Sequence, residues 1–250
     1  MQRIYPSQRG LTGTTGELIE AYAYPDAAGG TPYVRANMVA TLDGAAWGPD
    51  HRTRSISSPV DQWAFTMLRS LADVLVVGAS TVRAERYGPV RTPPEIAGHR
   101  ARLGQRPEPP IAVVSNRLDL DPASPLFTAA REPTIVLTTE SSPPDRRRAL
   151  AEHARVIVAG ADAVDFSRAL EAIADTGLTR VQCEGGPTVL THIAAAGLLD
   201  ELCLTLSPLF GGTDAPRILA GSPPVPESRM RLVHIIEDDG TLLTRWARLP

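Results

Sequence analysis

The sequence predicts an α/β fold: a mainly parallel central sheet, helices on both faces, and an antiparallel hairpin at the C-terminal end. Three observations predict it. Short apolar runs without polar alternation, such as Val74-Leu75-Val76-Val77, read as strands buried on both faces. Amphipathic helical stripes alternate with these runs over most of the chain. Asp238-Asp239-Gly240 separates two strand-like runs near the end, which is a hairpin signal.

The elements follow in order. The first thirty residues, rich in Gly, Thr, Ala and Pro, predict an arm (1–30) with one short helix over 16–22; residues 31–250 predict a single domain. Tyr33 to Leu42 predicts a strand that Asp43-Gly44 ends as a turn. Ser58 caps a helix with Pro59 at its first position and Asp61 in its first turn. Val60, Trp63, Ala64, Met67, Leu68 and Leu71 fall on one face of it. Asp73 to Gly78 is a strand that runs into a helix over 79–86. Residues 88–110, rich in Pro and Arg, read as a long functional or mobile loop. Residues 111–115 and 134–138 are strands, 145–153 a helix and 156–159 a strand. Asp165 caps a helix closed by Gly177. Strand 179–183, helix 188–196, strand 200–207 and the hairpin strands 231–236 and 241–248 complete the chain.

Composition narrows the function. With 250 residues, 43% hydrophobic and 21% charged, the chain suits one large domain. A net charge of −3 gives no footprint for nucleic acid or an anionic membrane. No apolar run reaches the ~20 residues of a membrane span, and the first sixteen residues lack the apolar core of a secretory signal. Two cysteines, both in apolar runs, read as buried thiols in a reducing, cytoplasmic compartment, not as a metal site. All 25 cations are arginine. That excludes a Walker loop and a Schiff-base lysine, so anions are left to arginine forks, hydroxyls and backbone N–H groups.

Three strand ends carry the candidate chemistry. The first is Glu184-Gly185-Gly186-Pro187-Thr188. Its glycines allow a sharp turn and close approach of a ligand, and Pro187 opens a helix whose free N–H groups favour an anion. It reads either as an ordinary strand-to-helix turn or as a phosphate cradle. The second end, Gly78-Ala79-Ser80-Thr81, offers small and hydroxyl residues before another helix. The third, Ser115-Asn116-Arg117, pairs a hydroxyl with an arginine of the kind that recognises a 2′-phosphate. Ligands of open α/β sheets bind outside the carboxyl ends of the strands, so the three together suit a phosphorylated dinucleotide. Asp43, Glu85 and Glu184 are carboxylates at the same end. The five histidines show no metal spacing.

The combination resembles a known family. Thr41-Leu42-Asp43-Gly44, Ile56-Ser57-Ser58-Pro59, the run Val77 to Glu85, Glu184 to Thr188, Ala196 to Leu202, and Pro208-Leu209-Phe210-Gly211-Gly212 occur in its order and spacing. The chain from about Pro32 onward is similar to the reductase domain of bacterial riboflavin biosynthesis, in the dihydrofolate reductase-like superfamily. The resemblance implies a three-layer fold, NADPH as cofactor, and a homodimer. It also implies reduction of the ribosylamino side chain of a phosphorylated pyrimidine to a ribitylamino chain, as by a 5-amino-6-(5-phosphoribosylamino)uracil reductase. It assigns Thr81, Glu85, Ser115, Gly185, Gly186, Pro187 and Thr188 to the cofactor side, to which the strand-end reading adds Gly78, Ser80 and Arg117. Asp43 and Glu184 become catalytic candidates, and Asn37, Thr53, Arg83 and Arg91 substrate-side candidates. The chain departs from the family pattern at Asn37, where many members carry lysine, at Glu85, where aspartate is usual, and around Arg54-Ser55, where a tryptophan often stands. The zinc deaminase signature often fused upstream is absent. Two other readings stand beside this one: a pterin or dihydrofolate reductase, and a non-catalytic nucleotide-binding paralogue.

Overall fold

The structure, a computed structural model, describes residues 1–6, 14–25, 30–212 and 214–249. Ten strands form one sheet in the order β1-β9-β10-β8-β2-β7-β3-β4-β5-β6. The central and far strands are β2 (Tyr33–Thr41), β3 (Val74–Gly78), β4 (Ile111–Val114), β5 (Ile135–Thr138), β6 (Arg155–Val158), β7 (Arg180–Cys183) and β8 (Glu201–Ser207). They all run parallel. β9 (Met230–Asp238) and β10 (Thr241–Arg248) form the antiparallel hairpin, and β10 pairs with β8.

The sheet is covered on both faces because its strands are apolar on both. On one face Val74 and Val76 of β3 pack with Val34, Ala36, Val181 and Cys183 beneath α7 (Phe166–Ala174) and α8 (Pro187–Ala195). On the other, Leu75 and Val77 pack beneath α3 (Ala79–Ala84) and α5 (Pro125–Thr128). Leu150 of α6 (Pro144–Ala151) covers Val136 on that face. The stripe of α2 (Pro59–Leu71) meets α1 (Thr15–Ala21) and α4 (Pro94–Arg102) over Cys203, Ile236 and Leu243. The cap of α2 is the one its sequence predicts: the Ser58 hydroxyl accepts from the Asp61 N–H at 3.3 Å.

Two stretches differ from the sequence reading. The expected arm contributes to the sheet and core. β1 (Gln2–Tyr5) is the edge strand beside β9, and Leu18, Ile19 and Tyr22 of the α1 region are buried in the core. Residues 7–13 and 26–29 of that stretch lie outside the described residues. The 88–110 stretch holds α4, whose sequence shows no apolar stripe. Its one buried apolar residue is Ile96, and its anchor is Arg100. The Arg100 guanidinium donates to the Ser70 and Ala72 carbonyls at 2.8 and 2.6 Å, capping the end of α2. Burial lowers the pKa of this arginine to about 10. A helix held by a buried cation on a neighbour's C-terminus has no signature in its own periodicity.

Candidate active site

A cleft of about 720 Å³ opens at the carboxyl ends of β2, β3 and β7. At one end lies the Glu184–Thr188 turn. Gly185 has φ +77°, a conformation open to glycine, and the Gly185–Gly186 peptide is cis. The Gly78 N–H donates to the Gly185 carbonyl at 2.7 Å, which ties the β3 and β7 ends together. A methyl group on Gly186 would stand 2.9 Å from Thr81 Oγ1, and one on Gly78 would stand 3.1 Å from Val189. Bare backbone is therefore what lets the two turns approach. Gly186 caps α8, Pro187 is its first residue, and Ser80, Thr81, Gly186, Pro187 and Thr188 all line the cleft. The first N–H groups of α8 have no helical acceptor, and the start of the helix borders the cleft.

The floor is an ion pair. Arg69 Nε and Nη2 donate to the two Glu184 carboxylate oxygens at 2.7 and 2.6 Å, and the Tyr87 hydroxyl donates to the same carboxylate at 2.8 Å. The Arg69 guanidinium stacks 3.9 Å above the Phe65 ring and 4.8 Å from that of Tyr87. Glu184 is buried; burial alone would lower the Arg69 pKa, but the charge and hydrogen bonds of Glu184 together with Tyr87 hold it above the ordinary arginine range. Burial, then the neighbouring carboxylate, keeps the Tyr87 hydroxyl protonated well past its usual range. With both oxygens engaged, Glu184 anchors charge and shape in the cleft.

The wall is the second face of α2. Gln62, Phe65, Thr66 and Arg69 stand at i, i+3, i+4 and i+7 and all line the cleft, as do Asp61, Asn37, Trp47 and Thr53. At the rim, the Glu85 carboxylate accepts from the Thr53 N–H and hydroxyl, both at 3.1 Å. Thr53 and Glu85, expected on substrate and cofactor sides respectively, thus meet as one contact.

The structure places other expected residues elsewhere. Asp43 is exposed and outside the cleft lining: its carboxylate accepts from the Gly211 and Gly212 N–H groups at 2.8 and 3.0 Å and from Thr41. Those hydrogen bonds, the Gly211 one first, hold its pKa below the ordinary carboxylate value. It fastens the loop after β8, and its position gives no support to the expected catalytic role. Ser115 is buried, and its hydroxyl accepts from the Leu118 N–H at 3.0 Å, a turn cap. The Arg117 side chain is exposed and away from the cleft lining. Arg83 donates to the Asp119 carbonyl at 2.9 Å, and Arg91 pairs with Glu108 at 2.6 Å. All four lie outside the cleft lining, and Ser115, Arg83 and Arg91 each serve a local loop. Sequence reasoning missed Asp61, Arg69 and Tyr87. The signal for Arg69 was present: Gln62, Thr66 and Arg69 repeat on the face of α2 opposite the apolar stripe.

Among the described residues no group of three or more His, Cys, Asp or Glu side chains could hold a metal. None of the helices there is long and apolar enough to cross a membrane.

Fold and cleft together define the class: a three-layer α/β protein with a nucleotide-type cleft at the carboxyl ends of a parallel sheet. The chain belongs to the RibD C-terminal domain family, whose model matches residues 32–244. It is 28% identical, over 87% of its length and 99% of the relative's, to the 2,5-diamino-6-ribosylamino-4(3H)-pyrimidinone 5′-phosphate reductase of Archaeoglobus fulgidus. The enzyme of that name from Methanothermobacter thermautotrophicus is 31% identical over 76% of this chain and 84% of its own. A pyrimidine reductase-like protein from Corynebacterium diphtheriae has the same fold, with a TM-score of 0.82, 26% identity, and coverage of 95% and 99%.

Proposed function

We propose that the protein is an NADPH-dependent reductase that converts the ribosylamino chain of a phosphorylated pyrimidine into a ribitylamino chain. The observation that carries this reading is the continuity of the cleft. One space of about 720 Å³ joins the α8 cradle to the polar face of α2, enough for a nicotinamide ring and a pyrimidine side by side. The relatives named above supply the reaction class. When bound, the nicotinamide supplies the hydride.

The chain's own residues bind and orient. The N–H groups of α8 and the hydroxyls of Ser80, Thr81 and Thr188 hold the diphosphate. Arg69, locked by Glu184, presents a fixed positive charge and its stacked rings to the middle of the cleft. Phe65, Trp47 and Tyr87 exclude water, which strengthens each polar contact there. Arg54 and Arg86, both exposed and lining the rim, suit a phosphate on the sugar. By the family resemblance we place the enzyme in the cytoplasm as a homodimer.

The test is NADPH oxidation followed by absorbance with three substrates: the 2-amino and 2-oxo forms of the phosphoribosylaminopyrimidine, and dihydrofolate. Turnover of either pyrimidine is expected. Turnover of dihydrofolate alone makes the protein a pterin reductase, and cofactor binding without any turnover makes it a paralogue without this activity.

A further inference from the structure

Three acids line the cleft among the described residues: Asp61, Glu85 and Glu184. Glu184 is neutralised by Arg69, and Glu85 is taken up by Thr53 at the rim. Asp61 differs from both. It is 6% exposed, stands in the first turn of α2, and has no cationic partner. Its polar neighbours are hydroxyls: Ser57 Oγ donates to Oδ2, and Thr205 on β8 is the second. Burial pushes the Asp61 carboxyl above the ordinary aspartate range despite both hydroxyls. A carboxylate has about four acceptor positions, so two hydroxyls leave capacity unused. Because Asp61 lines the cleft, that spare acceptor capacity is available to donors brought by a ligand.

The chemistry of the two ring types then separates them. A 2-amino-4(3H)-pyrimidinone presents two adjacent donors, the N3–H and the 2-amino group. A uracil ring presents N3–H flanked by two carbonyl oxygens, so its oxygen opposes one carboxylate oxygen. We propose that Asp61 reads the pyrimidine ring, accepting the paired N–H donors of a 2-amino-4-oxo edge and disfavouring the 2-oxo ring. Asp61 is a specificity residue here, and its partners Ser57 and Thr205 hold its orientation. Asn37 and Gln62, on the same stretch of wall, serve the remaining polar atoms of the ring. This inference rests on the pyrimidine reading above and names the ring within it.

The test uses equilibrium binding of the two bare rings, 2,5,6-triamino-4(3H)-pyrimidinone and 5,6-diaminouracil, by calorimetry with the full chain. Wild type is expected to favour the triamino ring by ~10- to 100-fold, the range of one or two hydrogen bonds to a charged group. Asp61→Asn offers one acceptor and one donor, so it is expected to bring the two affinities within ~3-fold by weakening the first and improving the second. Equal binding of both rings by wild type overturns the proposal. An Asp61→Asn variant that loses both rings equally, or neither, overturns it as well. If Asp61→Asn fails to fold, judged by its circular dichroism melt, the wild-type comparison alone decides. Discrimination in the expected direction without turnover keeps the assignment of Asp61 and removes the reductase reading.

Discussion

At the scale of single residues the cleft is organised by one buried ion pair. Glu184 is 7% exposed and takes four donors, from Arg69, Tyr87 and Gln182. Such a pair contributes little net stability, yet breaking it is costly because one charge stays buried alone. Arg69→Met is therefore expected to lower unfolding free energy by about 3 kcal/mol in urea titrations. Adding Glu184→Gln should recover part of that loss, and a double-mutant cycle reads the coupling. Strict additivity of the two single changes would mean the pair is not an energetic unit. Asp43 illustrates the opposite case. Its sequence position next to Gly44 is as suggestive as that of Glu184, but its carboxylate closes a surface loop.

At the scale of elements, two glycine turns and one helix start build the end of the cleft proposed to hold the cofactor. Gly186 has a negative φ, so Gly186→Ala acts through space: it sets a methyl 2.9 Å from Thr81 Oγ1. The β3–α3 and β7–α8 turns must then part by several tenths of an ångström. The expected result is at least ~10-fold weaker NADPH binding by fluorescence titration, since a small displacement misaligns several N–H donors at once. Stability should change less than affinity. Unaltered binding would remove the diphosphate from this cradle. Elements whose own sequence carries a signal, such as α2 with its serine cap and apolar stripe, were legible before folding. The α4 helix was not, because Arg100 and Ile96 hold it from outside its own pattern.

At the scale of the molecule, a buried polar layer joins the parallel and antiparallel parts of the sheet. Arg35 on β2 and Arg245 on β10 both pair with Glu201 on β8, and both reach the Ala23 carbonyl just after α1. His234 on β9 packs edge-on against Tyr22 at 4.7 Å between ring centres. Burial first, then Arg245, holds the His234 pKa down to about 3, so its ring is neutral in the fold. The folded value is below the unfolded one of 6.5, so its contribution is whole above pH 6.5 and is lost as pH falls toward 3. One proton gives a slope of about 1.4 kcal/mol per pH unit in that window. His234→Phe is expected to flatten the wild-type stability curve between pH 6 and 4 by up to that slope, measured by denaturant unfolding at each pH. Parallel curves would show that His234 is not the group responsible.

The sequence by itself determined the α/β class, the parallel sheet with its closing hairpin, and the glycine turn at the end of β7. These are local properties: period, caps and turn chemistry are written in consecutive residues. It also carried the family, because motif order and spacing are linear. Only the tertiary structure decided which polar residues share the cleft. Arg69 and Glu184 are 115 positions apart and meet through β-strand order. Arg83, Arg91 and Ser115 are drawn off to loops of their own, while Asp61, legible in the sequence only as a first-turn acid of α2, ends buried against the cleft. A side chain's role follows from which partners satisfy it, and those partners are set by packing across the sheet rather than by neighbours in the chain.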